Sequence, residues 1–154
     1  MFDFDEATHY FIDADSAEFK LLVTMEQSPK TEEDKMLVTL FHDNYPNDLN
    51  DEKFWNFLKT SKKIHGKIIN ESLYPQLRKD VFVNTGVERT EEYACISEYR
   101  DIFVFRKNGE ATGIAKICFH CKQYVFIPDS WSNTFGASGE FDKLKTILKL
   151  DNGQ

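Results

Sequence analysis

The sequence predicts a single α+β domain spanning residues 1–154: N-terminal helices, then an antiparallel β-meander, then a C-terminal helix. Three observations predict it. Amphipathic runs, each behind a capping residue, fill residues 15–61. The pair Asn108-Gly109 sits between two strand-like runs, the pattern of a type I′ hairpin. The run "EFDKLKTILKL" at 140–150 then returns to a helical period.

The first fifteen residues mix aromatics and acids without a clear period. "DSAEFKLLVTMEQ" at 15–27 reads as a helix capped by Asp15, with Glu18 in capping-box position and Phe19, Leu22 and Val23 on one face. "SPK" breaks the chain at Pro29. Thr31 is a natural cap for "TEEDKMLVTLFHD" at 31–43, whose Glu32, Glu33 and Asp34 favour the helix dipole and whose stripe is Met36, Leu37, Leu40 and Phe41. After the turn "NYPNDLN", Asn50 is expected to cap a third helix at 51–61 that buries some of Phe54, Trp55, Phe57 and Leu58. "KKIHGKIIN" at 62–70 reads as extended around Gly66. Ser72 is expected to cap a fourth helix that exits at Gly86, with Pro75 in its first turn.

The strands follow as "YACIS" at 93–97, "RDIFVFRK" at 100–107, "ATGIAKICF" at 111–119 and "KQYVFI" at 122–127. A regular ladder from the Asn108-Gly109 turn pairs positions summing to 217, which sets Tyr99 against Cys118, Ile96 against Cys121 and Cys95 against Lys122. Pro128 ends the sheet, and Ser138 caps the last helix, with Phe141, Leu144, Ile147 and Leu148 on its apolar side.

Composition restricts the function classes. The chain carries 41% apolar and 29% charged residues, ordinary for a globular protein, and is long enough to fold without a metal or disulfide. Fourteen phenylalanines supply a core and some surplus for an interface. The acidic N-terminus is unlike a signal peptide, and no run approaches the length of a membrane span. Three cysteines are an odd number and too few for a secreted disulfide framework, so reduced thiols and a cytoplasmic location are expected.

Charge is unevenly spread. Residues 1–52 hold 14 acidic and 3 basic side chains, whereas residues 53–154 hold 12 acidic and 16 basic, within a net charge of −7. An acidic half repels phosphate backbones, which argues against nucleic acid, and attracts a basic protein surface. The small basic patch "TSKK" at 60–63 does not offset that.

The stretch "CFHC" at 118–121 raises metal and redox readings. Side chains alternate along a strand, so an unbroken strand sends Cys118 and Cys121 to opposite faces, with His120 on the face of Cys118. A zinc site needs about four converging ligands; Cys95 and His65 complete a set with the two thiols only if a bulge reverses one of them. A redox CxxC needs a helix N-terminus, which this β pattern does not supply. Buried thiols in a sheet are the expectation, and no cofactor is implied. His65 beside Gly66 reads as a strand histidine, and His9 and His42 as exposed ones. No glycine-rich phosphate loop, GxSxG or HExxH occurs, so catalysis is not expected.

"IHGKII" at 64–69, "ACISEYRDIFV" at 94–104 and "ICFHC" at 117–121 resemble the strand motifs of an uncharacterised bacterial protein family. Of that family's proline-arginine-histidine-glycine run only Arg100 remains in kind. The resemblance implies a similar fold core and a bacterial origin, with no established activity. The wider profile is also similar to that of bacterial toxin-immunity proteins. The expected function is therefore a non-enzymatic acidic protein that neutralises a basic, nuclease-type toxin. Glu32, Glu33, Asp34, Asp48, Asp51 and Glu52 would meet the partner, with Tyr45, Phe54 and Trp55 as aromatic anchors. The alternatives are a metal-binding or thiol-dependent protein using Cys95, Cys118, Cys121, His120 and His65, and a housekeeping protein.

Overall fold

The computed structural model describes residues 2–153 apart from Met25, Glu92, Tyr93 and the stretch 130–133, and leaves aside the side chains of Glu18 and Val23. Five antiparallel strands form one sheet in the order β2-β1-β3-β4-β5. They are β1 (Glu6–Ile12), β2 (Ile64–Ile68), β3 (Asp101–Lys107), β4 (Glu110–Cys118) and β5 (Gln123–Ile127). Helices α1 (Ala17–Val23), α2 (Glu32–His42) and α3 (Glu52–Thr60) cover one face. The other face takes a 3-10 turn (Glu71–Leu73), the single α turn α4 (Tyr74–Gln76), a wider π turn (Leu77–Val81) and the last helix α5 (Glu140–Asp151). The α+β class holds, with the sheet sandwiched between two helical layers.

The largest departure from expectation is β1. Phe2 and Phe4 are buried and alternate with exposed Asp3 and Asp5, a period of two that runs into the strand. Within β1 the alternation fades because the strand is covered on both faces: Ala7 enters one core and Ile12 the other. Helices therefore do not all precede the sheet. The chain enters through a central strand, crosses one face through α1–α3 to reach β2, and returns over the other face to β3.

Each apolar stripe is buried as its period requires. α2 buries Leu37, Leu40 and Phe41, and Met36 stays half-buried. α3 buries Phe54 and Leu58, and α5 buries Phe141, Leu144 and Ile147. Eleven of the fourteen phenylalanines are buried, and only Phe11, Phe57 and Phe119 are half-buried. Phe82, Phe103, Phe105, Phe126 and Phe135 form one aromatic cluster beneath α5.

Several expected caps move by a residue or two. Ser16, not Asp15, accepts from Phe19 N–H and opens α1. Asp51, not Asn50, accepts from Phe54 N–H and opens α3. Asn70, not Ser72, opens the helical segment at 71. Ser138 does not cap α5; Gly139 in the left-handed region holds that place, and the buried Glu140 carboxylate accepts from Gly136 and Ser138 N–H. Thr31 caps α2 as expected, in a full capping box with Asp34.

The expected strand at 93–97 does not form in its described part, residues 94–97, where the chain is irregular. The register also differs. Lys107 faces Glu110 and Arg106 faces Ala111, but a bulge then sets Phe105 against Gly113 and Asp101 against Ile117, so the pairs sum to 218. The residue left over is Thr112, whose hydroxyl donates to Asp3 O at 2.6 Å and ties the N-terminal segment to β4. Beside it the Phe2 ring occupies the space where a Cβ at Gly113 would lie. Gly66 similarly lies under the Tyr10 ring, where a Cβ would come within 2.6 Å of a ring carbon.

Candidate functional site

Two constellations carry chemistry: the acidic end of the α1–α3 layer and a cluster of sulfurs at the β4–β5 turn. In the first, α2 and α3 begin with carboxylates because their N-termini favour negative charge. Glu32 is almost fully exposed and held 2.9 Å from Lys35, whose hydrogen bond and charge bring its carboxyl below the ordinary range. Glu33 is exposed and lines two neighbouring hollows. One, of about 440 Å³, runs between α2 and α3 and is lined by Glu32, Glu33, Met36 and Phe57 together with Lys53 and the polar Asn56, Thr60 and Ser61. Asp48, in the loop that leads into α3, and Glu52, the first residue of α3, are exposed nearby in sequence.

The other residues expected there are committed to the fold. Asp34 closes the capping box, accepting from Thr31 N–H. Asp51 caps α3 and also accepts from the Tyr45 hydroxyl at 2.9 Å. Burial and that bond to Asp51 push the Tyr45 phenol far above its usual range. Trp55 donates its indole N–H to Leu49 O at 2.8 Å, and the Arg106 guanidinium lies over its ring. Phe54 is buried. The exposed carboxylates are Glu32, Glu33, Asp48 and Glu52, of which Glu33 also accepts from the Ser61 hydroxyl at 3.4 Å and Asp48 from Asn50 N–H at 2.7 Å, while Tyr45 and Trp55, both half-buried, support the loop between α2 and α3.

That loop is anchored from below by Lys116, which sequence reasoning passed over. It sits in the middle of β4, on the face covered by α1–α3, and is fully buried. Its ammonium donates to Asp43 O at 2.6 Å and Tyr45 O at 2.8 Å and lies 4.7 Å from the centre of the Tyr99 ring. Burial pulls its pKa down to about 7, against a smaller upward pull from Asp43. A lysine inside an apolar strand run, "GIAKIC", was the available signal.

Tyr99 leads to the second constellation. It packs with Cys118 and Cys121, and its burial raises the phenol above the ordinary value. β4 ends at Cys118, and residues 119–122 form the turn into β5, with Lys122 in the left-handed region at φ 49°. The expectation that Cys118 and Cys121 point to opposite faces is therefore overturned, because the strand does not continue between them. Cys118 Sγ accepts from Cys121 N–H at 3.3 Å and from Glu98 N–H at 3.4 Å. Cys121 is joined by a disulfide to Cys95, with 6.0 Å between their Cα atoms. Only Cys118 is free, so the expectation of three reduced thiols is corrected as well. The turn and the irregular segment 94–100 bring together sulfurs that a regular ladder would have spread along two strands.

His65 does not join them. It lies on β2, at the opposite edge of the sheet, in a row with Phe11, Asp101 and Ile117. Three strand spacings, roughly 14 Å, separate it from β4. His120 is exposed on the turn. Among the described residues no three His, Cys, Asp or Glu side chains are gathered to hold a metal ion. His9 is not exposed as expected: its Nε2 lies 2.7 Å from Asp101 Oδ1 and its ring stacks on Phe103. His42 is tied through Nδ1 to Ser97 O at 2.8 Å. Arg100, retained from the resembled motif, pairs with Asp15 at 3.2 Å.

Among the described residues no helix is long and apolar enough to cross a membrane. No protein-family model matches the chain, and neither a curated protein nor a solved structure matches it.

Proposed function

We propose that this is a binding protein without catalysis of its own, whose acidic helical layer receives a basic protein partner. The observation that carries the reading is the set of exposed carboxylates Glu32, Glu33, Asp48 and Glu52 on α2, α3 and the loop between them. They belong to residues 1–52, which hold 14 acidic and 3 basic side chains. Such a surface speeds encounter with a basic partner and discriminates against acidic ones. The groove between α2 and α3 adds Met36 and Phe57, an apolar floor over which the stem of an arginine or lysine can lie while its charge meets Glu32 or Glu33. The partner class that suits this chemistry is a nuclease-type toxin, and the role is that of an immunity protein.

The test is capture of tagged protein from its source cell, identification of the retained partner, and measurement of the purified pair. A basic partner whose Kd weakens at least tenfold between about 50 and 300 mM salt supports the reading. A partner that is acidic, or one whose affinity ignores salt, overturns it.

A further inference from the structure

All three cysteines of the chain meet at one place, although 95 is distant in sequence from 118 and 121. Their exposure is unequal. Cys118 and Cys121 are each 1% exposed, whereas Cys95 lies on the surface. With Cys95 and Cys121 joined, the remaining free thiol, Cys118, is buried. Cys118 Sγ accepts the backbone N–H of Cys121 itself, which places it against the residue that carries the bonded sulfur. The same sulfur accepts from Glu98 N–H, on the segment that Cys95 tethers.

We propose that these residues form a thiol-exchange site, in which Cys118 enters the disulfide and moves the free thiol from the buried turn to the exposed Cys95. The Cys118 thiolate attacks Cys121 Sγ. A Cys118–Cys121 bond forms, the Cys95–Cys121 bond breaks, and the electron pair leaves on Cys95 Sγ. The proton lost by Cys118 is balanced by one gained at Cys95, and one disulfide is present throughout, so no oxidant or reductant is consumed. The segment that carries Cys95 stays docked after the exchange. Bonds that the exchange does not involve hold it in the structure: Tyr99 N–H donates to Phe41 O at 2.8 Å, and Ser97 O meets His42 Nδ1 at 2.8 Å. The product exposes a surface thiol open to modification by small electrophiles or disulfides, which the buried Cys118 excludes.

Protein purified without reductant is incubated at pH 8 with excess iodoacetamide, and the labelled residue and the disulfide are mapped by mass spectrometry without reduction. The expected product carries one label, on Cys95, together with a Cys118–Cys121 bond. Its rate rises with pH, because the attacking species is the thiolate. In Cys118→Ser protein, labelling is expected to fall at least tenfold while the Cys95–Cys121 bond persists. Label on Cys118 with Cys95–Cys121 intact, no label on the native protein, or label on all three residues each overturns the proposal. Should the serine variant fail to fold by circular dichroism, the map of the unaltered protein decides alone.

Discussion

Lys116 shows most directly what a single residue does here. Its folded-state pKa is lowered from 10.5 to about 7, so between those values the unfolded chain holds a proton that the folded one has released. Stability attributable to this group is flat below about pH 7 and rises with pH above it. Relative to Lys116→Met, the intact protein should gain about 1.4 kcal/mol per pH unit between about pH 7.5 and 9.5, read from urea melts across that range. A constant difference would show that the amine stays charged inside the fold. Gly113 is a second such position. Its missing Cβ is the space filled by Phe2, a ring that also stacks on Phe105 at 4.5 Å. Gly113→Ala should displace that ring and cost about 1–3 kcal/mol in a denaturant melt. Gly113 was legible only as a strand glycine; nothing in the local sequence names the N-terminal phenylalanine that covers it.

Among the elements, those with a strong cap and an uninterrupted period were legible. α2 was expected at 31–43 and spans Glu32–His42, and α5 was expected at 140–150 and spans Glu140–Asp151. β3, β4 and β5 were also placed within a residue or so, because apolar β-formers flank the Asn108-Gly109 turn. The segments misread were those whose conformation depends on distant partners. β1 is covered on both sides and loses its alternation, and segment 94–97 has strand-like residues but no neighbouring strand to pair with. Asp51 was read as a partner contact, and the α3 cap makes a different prediction. Asp51→Ala should cost about 1–2 kcal/mol, by removing the cap and the Tyr45 bond, whereas Glu52→Ala should change stability by less than about 0.5 kcal/mol. Equal melting temperatures for the two variants would refute the assignment of Asp51 to the fold.

For the whole molecule, the sheet divides two cores of different character, an aromatic one beneath α5 and a more aliphatic one beneath α1–α3. The acidic residues 1–52 supply α1, α2 and the first residue of α3, so the charge asymmetry seen along the chain becomes an asymmetry between parts of the surface. Each Glu→Lys reversal removes one negative charge and adds one positive, so Glu32→Lys, Glu33→Lys and Glu52→Lys together take the net charge from −7 to −1. Association with a basic partner should slow at least tenfold and its salt dependence should flatten, with dissociation changed less. First-turn lysines oppose the helix dipole at about 0.3–1 kcal/mol each, so the melt of the variant is followed alongside. An unchanged association rate would place the binding surface elsewhere on the molecule.

By itself the sequence determined what local chemistry decides: which runs coil, where Thr31 starts a helix, where Asn108-Gly109 reverses the chain, and which half carries the negative charge. Tertiary structure alone decided the one-residue slip at Thr112, the end of β4 at Cys118, the burial of Lys116 and the meeting of Cys95 with Cys121. The reason is range. A cap or a turn is settled by atoms a few residues apart, whereas a bulge, a buried amine or a cross-link is settled by whatever the rest of the chain packs against it.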